Sequence, residues 1–412
     1  MELKNNLYLH GGVPVIDMCQ KYGTPVYIYD GNIIEKRYKE LNSAFPDLKL
    51  KLKYACKALT NPNVLKFIQK LGAGLDTVSI GEVILGLESG YAPEDIIFTP
   101  NCVSFEEIKQ AVELGVIINI DNLSILEQFG SEYGDSVPVC VRINPHIMAG
   151  GNANISTGHI DSKFGISIYQ LRHIERIAKS TNIKINGLHM HTGSDILDVN
   201  VFLQGAEILL DAAKTFKDLE FMNFGSGFKV AYKNDDISTD IKELGKKLSK
   251  RFKEFCSEYG RELELWFEPG KYIVSESGIF CVQTNVVKHT TATVFAGVNS
   301  GFNHLLRPMF YNAFHQIINI SNPIGKDRIY TVAGYICETD TFASDRKLKE
   351  VREGDFLAFL NAGAYGFAMS SNYNSRLRPA EVFVYKGKDH LIRKREEMED
   401  LTRNVVDLKG AF

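Results

Sequence analysis

KLKYACKALTNPNVLKFIQKLGAGLDTVS, residues 51–79, contains the pattern that decides the fold. KLKYACK (51–57) ends a run in which Lys49, Lys51 and Lys53 alternate with Leu48, Leu50 and Leu52, the period of a strand with two different faces. NPNVLKFIQKLG (61–72) repeats its apolar residues at helical spacing, and GAGLDTVS (72–79) is β-rich again. Strand, helix and strand in such close succession make a parallel pair joined by a right-handed crossover.

Outward from this unit the alternation continues. DIIFTPN (95–101), IINIDN (117–122), VPVCVRINP (137–145), INGLHMHTG (185–193), LEFMNFGSG (219–227) and LELWFEPG (263–270) read as strands, with VYIYD (26–30) ahead of them. FEEIKQAVELG (105–115) and IKELGKKLSKRFKEF (241–255) read as helices between. About eight repeats in about 250 residues fit a closed (β/α)8 barrel better than an open sheet. Beyond residue 275, GIFCVQTNVVKHTT, RIYTVAGYIC, DFLAFLNAG and AEVFVYKG follow one another with turns between, the mark of an antiparallel β domain. The expected fold is therefore α/β plus all-β. A TIM-like (β/α)8 barrel spans 31–274, and a C-terminal antiparallel β-barrel or sandwich spans 275–412, to which 1–30, including LYLHGG, contributes.

The 412 residues suit two domains, and 44% hydrophobic with 24% charged residues allow a large core and a soluble surface. A net charge of −3 offers no basic field for nucleic acid or anionic lipid. No apolar run nears the roughly 18 residues of a membrane span, and MELKNNLYLHGG lacks the regions of a signal peptide. Seven cysteines without a C-x-x-C pair argue against a disulfide framework or a structural zinc. A reducing cytoplasm is the expected setting.

Reactive groups in such barrels stand at the C-terminal ends of strands. Those positions hold Lys57; Asp76 and Ser79; Asn101; Asp121 and Asn122; Arg142 and Asn144; His189 and His191; Gly225-Ser226-Gly227; and Glu268-Pro269-Gly270-Lys271. Lys49, Lys51 and Lys53 share the parity of Lys57 but lie toward the strand's entry, where ammonium groups are expected to reach water. The two histidines of HMH would suit a metal ion, or one packs in the barrel while the other faces a ligand; the non-metal reading is preferred. The glycine loop suits phosphate, and Glu268 suits a base, a metal ligand or a partner for a protonated ring nitrogen. In the β domain, Cys337-Glu338 and the Tyr-, Ser-, Asn- and Arg-rich stretch 363–382 suit a site wall or a subunit interface.

Together, YACK (54–57), GLHMHTGS (187–194), FGSGF (224–228), EPGK (268–271), RPMFY (307–311), CET (337–339) and GAYGFAMSSNYNSRLRPAEV (363–382) resemble the alanine-racemase-like, fold-type III pyridoxal-phosphate decarboxylases over almost the whole chain. The resemblance implies that Lys57 holds pyridoxal 5'-phosphate covalently, that His191 stacks on its ring, and that Glu268 pairs with its ring nitrogen. Ser194, Gly227 and Gly270 would contact the cofactor, as would Tyr365. Lys271, Arg307, Tyr311 and Glu338, with Tyr365, would bind the substrate, and Cys337 would donate a proton. No metal is implied. The reaction implied is decarboxylation of meso-2,6-diaminopimelate to L-lysine in a homodimer whose partner subunit supplies Cys337 and Glu338. Carboxynorspermidine or another basic amino acid is the alternative substrate; a metal-dependent barrel hydrolase would leave Lys57, the glycine loop and Cys337 without a joint explanation, and a non-catalytic cofactor-binding regulator would be expected to lack the lysine or the proton donor, both of which this chain carries. Three positions depart from the family pattern: Leu59 replaces an asparagine, Ser226 interrupts the glycines, and Lys271 replaces an arginine, keeping the charge but losing the two-pronged grip.

Overall fold

The computed structural model describes residues 1–147, 162–233 and 235–410. The chain forms two compact units, Ile34–Ile273 and Met1–Ile33 with Val274–Phe412.

The first unit is the barrel. Its strands are β1 (Leu50–Ala55), β2 (Gly74–Thr77), β3 (Ile96–Phe98), β4 (Ile117–Ile120), β5 (Val139–Asn144), β6 (Ile185–His189), β7 (Phe221–Asn223) and β8 (Glu264–Phe267). Each pairs in parallel with the next, and β8 returns to β1 through Leu265–Leu50 and Phe267–Leu52, closing the ring. A short strand, Ile166–Ser167, adds to β5. The crossover helices after β1 to β4 have polar side chains capping their first turns. Asn61 accepts from Asn63 N, Ser79 from Glu82 N, Ser104 from Glu107 N and Asn122 from Ile125 N. Ser79 and Asn122, expected among the polar groups of a functional mouth, thus serve as helix caps.

Register shows which side chains fill the barrel. A lower layer joins Ile97, Cys140, Phe221 and Trp266, with Phe221 stacked on Trp266 at 3.7 Å between centroids. Room for Phe221 comes from Gly187, where a Cβ would lie 2.2 Å from its ring. Lys53 enters the same layer. It is fully buried, its Nζ donates to Asp95 O at 3.0 Å, and its charge lies 4.5 Å from the Trp266 ring centre. The expectation that Lys53 reaches water is therefore corrected. Lys49 and Lys51 do reach it, pairing with Glu262 and Glu264 at the barrel floor.

The second unit is built on one large sheet. Its order is Thr341–Lys349, Asp327–Ala333, Val294–Val298, Gly278–His289, Val26–Asp30, Ala380–Tyr385 and Lys388–Arg393, with Phe356–Phe359 and Ile317–Asn319 joined to the long Gly278–His289 strand's side. VYIYD (26–30) lies here, not ahead of the barrel strands; subtracting it leaves eight strands for the barrel. The sheet is mostly antiparallel, but Val294–Val298 with Asp327–Ala333, and Val26–Asp30 with Ala380–Tyr385, run parallel. Leu7–His10 pairs with Glu2–Lys4 and Val13–Pro14 in a small sheet of its own, while His10 Nε2 bonds Ser277 O at 2.7 Å.

Candidate active site

Lys57 stands in a 3-10 turn, Cys56–Ala58, at the exit of β1. Gly270 packs against that turn: a Cβ there would come within 3.1 Å of Ala55 and 3.2 Å of Ala58, and Ala55 N donates to Pro269 O at 3.2 Å. The Lys57 turn and the EPGK corner are thereby held side by side. Lys57 Nζ donates to Asp76 Oδ2 at 2.9 Å. Asp76 is 1% exposed, and its Oδ1 is buried with no hydrogen-bond partner. Burial, with Glu268 nearby, pushes its carboxyl up to about 7 against the pull of Lys57.

Glu268 follows β8 and is held from two strands. Asn223 at the end of β7 donates to its Oε1 at 2.6 Å, and His189 at the end of β6 bonds its Oε2 through Nε2 at 2.9 Å. Burial alone would raise this carboxyl, but His189, Lys57 and His191 outweigh it and bring it down to about 2. The mouth thus holds one carboxylate that is firmly ionised and one that titrates near neutrality. Arg142 from β5 is buried below them, 4.8 Å from the Phe164 ring.

His189 and His191 have different settings. His189 is buried in the barrel against Glu268. His191, two residues on, is half-buried and accepts from Ser226 N through Nδ1 at 3.3 Å, which leaves its proton on Nε2. Burial of the ring, with Arg142 and Lys57 close, pushes its pKa down to about 3, so the imidazole is neutral. Among the described residues no cluster of three or more His, Cys, Asp or Glu side chains could hold a metal ion.

Two loops close the mouth. Gly227 has φ +101, and a Cβ there would lie 2.1 Å from Gly193 O, so only glycine lets the loops meet. Asn223 Oδ1 accepts from Gly225 N at 2.9 Å, Glu268 N donates to Gly225 O at 2.7 Å, and Ile196 N donates to Gly227 O at 2.8 Å. Ser194 is carried on the loop so fastened. Lys271 opens the short helix Lys271–Val274, and its Nζ meets Asp195 Oδ1 at 2.5 Å.

Lys57, His191, Ser194, Gly227, Glu268, Gly270 and Lys271 thus belong to the barrel unit, and Cys337, Glu338, Arg307, Tyr311 and Tyr365 to the β unit. In the latter, Cys337 and Glu338 are exposed on a turn built around buried Asp340, whose carboxylate accepts from Phe302 N at 2.9 Å and Ile336 N at 3.0 Å. Asn374 Nδ2 donates to Cys337 Sγ at 3.3 Å, and Tyr373 OH to Glu338 Oε1 at 2.5 Å. Arg307 opens the helix Arg307–Tyr311 and donates through Nε to His315 Nε2 at 3.4 Å. Burial and Arg307 push the His315 pKa down to about 3, keeping it a neutral acceptor. Asn223, Asp195, His315, Tyr373 and Asn374 were not singled out individually from the sequence. Asn223 alone carried a local signal, a polar residue at the exit of an apolar strand.

A closed barrel whose mouth presents an amine, a fixed carboxylate, a neutral imidazole and a glycine-lined loop defines a site for an aromatic aldehyde cofactor with a phosphate. Residues 32–275 match the model of the pyridoxal-dependent decarboxylase family, pyridoxal binding domain. The chain is 38% identical over 405 residues to the diaminopimelate decarboxylase of Methanothermobacter thermautotrophicus, covering 96% of this chain and 94% of the relative. Identity to that of Bacillus subtilis is 35% over 418 residues, covering 97% and 95%. The crystal structure of diaminopimelate decarboxylase from M. jannaschii in co-complex with L-lysine superposes with a TM-score of 0.91 at 30% identity, covering 98% of each chain. The chain belongs to the pyridoxal-dependent decarboxylases, and within them to the diaminopimelate decarboxylase family. Its cofactor is pyridoxal phosphate.

Proposed function

We propose that this protein decarboxylates meso-2,6-diaminopimelate to L-lysine and CO2, and that it works in the cytoplasm as a homodimer. The observation that carries the reading is the barrel mouth itself, where Lys57, Asp76, His191 and Glu268 converge from different strands on a chain alignable along its length with such decarboxylases. Seven free cysteines suit a reducing compartment, and among the described residues no helix is long and apolar enough to cross a membrane.

Bound in this mouth, pyridoxal phosphate supplies an aldehyde for an amine and a ring that takes up the electron pair left by departing CO2. Lys57 is the anchoring amine, and Asp76 is its counter-ion. The orphaned Oδ1 of Asp76 is a polar group with capacity for a ligand. Neutral His191 offers a flat face for stacking without adding a positive charge. Glu268, oriented by His189 and Asn223, offers a fixed negative charge to a protonated ring nitrogen. Ser194, Gly227 and Gly270 are assigned to the phosphate and ring, where backbone can approach closely, and Tyr365 is assigned as a further cofactor contact. Arg307, Tyr311 and Lys271 take the distal carboxylate of the substrate, and Glu338 its distal ammonium. Cys337 Sγ–H hands a proton to the carbon that lost CO2. Its exposure beside Glu338 suits a turn that enters a partner copy's site.

The test is CO2 release from meso-diaminopimelate, with lysine, ornithine, arginine and carboxynorspermidine in parallel and pyridoxal phosphate added. Strong preference for meso-diaminopimelate is expected. Turnover confined to another substrate overturns the substrate assignment.

A further inference from the structure

Lys271 leads out of β8, and its ammonium does not face the mouth alone. Its side chain is 10% exposed and donates to Asp195 Oδ1 at 2.5 Å; the Asp195 side chain is 29% exposed. Asp195 holds a left-handed backbone, φ +63, which a short polar side chain tolerates. The next residue is clamped, since Ile196 N donates to Gly227 O at 2.8 Å and Ile196 O accepts from Thr239 Oγ1 at 2.6 Å. The carboxylate is thus fixed beside Lys271 by its loop and does not merely drift past it.

An ammonium paired with a carboxylate presents almost no net charge to a third group a few ångströms away. A ligand carboxylate that approaches Lys271 also approaches Asp195 and is repelled by it. An arginine fork could satisfy two carboxylates along separate edges, whereas a lysine offers one compact charge to both. We infer that Asp195 masks Lys271 and is a specificity-determining residue, setting how strongly this site favours ligands with a distal carboxylate. The inference rests on the decarboxylase reading above, in which Lys271 faces the distal end of the substrate.

L-Lysine and cadaverine differ by one carboxylate, so the ratio of their affinities for the holoenzyme, measured by calorimetry, isolates the effect. In Asp195→Asn the ammonium is unmasked. L-Lysine is expected to bind about threefold to tenfold tighter, with cadaverine unchanged. KM for meso-diaminopimelate should fall in parallel, with kcat little altered. Adding Lys271→Met to the Asn variant should cancel the gain. An unchanged or lower ratio in Asp195→Asn, repeated in Asp195→Ser at wild-type cofactor content, overturns the proposal. A wrong decarboxylase reading would show itself separately, as a wild-type protein inactive on meso-diaminopimelate, while the affinity ratio stays measurable.

Discussion

Asp76 and Glu268 open into the same mouth, yet their surroundings push them in opposite directions. Asp76 has Lys57 on one oxygen and nothing on the other, and burial wins, leaving it near 7. Glu268 receives Asn223 and His189 on its two oxygens and stays ionised, near 2. The consequence for stability has opposite signs. A carboxyl whose folded pKa lies above its unfolded value of about 3.9 keeps its proton on folding, so its contribution is greatest at low pH and is lost as pH rises through 7. Glu268, with its folded value lowered, contributes above about 4.3 and loses that contribution only toward pH 2. The Asp76 contribution falls between about pH 4 and 7, while buried neutral histidines such as His191 and His315, held near 3 in the fold, add an opposite one up to about pH 6.5. The difference in urea-unfolding stability between wild type and Asp76→Asn, both cofactor-free, removes the histidine contribution and should fall by a few kcal/mol between pH 5 and 7.5, at about 1.4 kcal/mol per pKa unit. A difference that does not change with pH would place the titration elsewhere.

Four lysines of one parity, on β1 and just beyond its two ends, fall into three environments, and periodicity alone could not separate them. Lys49 and Lys51 reach water at the floor, Lys53 is sealed in the lower layer, and Lys57 stands in the mouth. Alternation showed which face each lysine takes, but not how deep along the barrel axis it lies. Depth depends on Trp266 and Phe221, more than 160 residues away. Burial brings Lys53 down to about 8, so below that pH folding must hold a charge in an apolar layer. Lys53→Met, of similar length, should stabilise the barrel at pH 7 by up to about 3 kcal/mol, less what the Trp266 contact returns. The stability of wild type relative to the Met variant should rise between about pH 8 and 10.5, where the unfolded wild-type chain still binds the Lys53 proton and the folded one does not; the buried thiols lower both proteins alike and cancel. Chemical unfolding at pH 7 and 9.5 measures both, and equal slopes would refute the assignment. The alternating barrel pattern was legible for the same reason that Lys53 was not: it is local. VYIYD carries the same local signal as a barrel strand and differs only in its partners, Gly278–His289 and Ala380–Tyr385. Strand-exit groups such as Lys57, His191 and Glu268 could be read from position. The residues that hold them or their counterparts, Asn223, Asp195 and Asn374, act across long sequence separations and could not.

At the scale of the whole molecule, the proposed chemistry is divided between two groups of residues on two units. The barrel mouth gathers the amine, carboxylates and imidazole, but the barrel cysteines Cys56 and Cys140 are buried, and burial raises both thiols. Of the seven cysteines only Cys102 and Cys337 are exposed, and Cys337 alone sits beside a carboxylate, Glu338, on a turn fixed by Asp340. If that turn completes the barrel mouth of a second copy, a two-fold dimer has two identical composite sites, each needing Lys57 from one chain and Cys337 from the other. Lys57→Ala should lose the visible absorption of covalently held cofactor, and Cys337→Ala should keep it, yet each homodimer should be almost inactive. Mixing the two variants under conditions that let subunits exchange creates heterodimers in which one site carries both substitutions and the other carries neither. With equal input and free exchange, half the dimers are mixed and half their sites are intact, so recovered activity should approach about a quarter of wild type. Sedimentation should show a dimer throughout. A mixture no more active than its separate components, while exchange is verified by mass, would mean that Lys57 and Cys337 act within one chain or that Cys337 does not act at all. The Cys337→Ala homodimer separates these two: lost activity leaves the one-chain arrangement, and full activity removes Cys337 from the reaction.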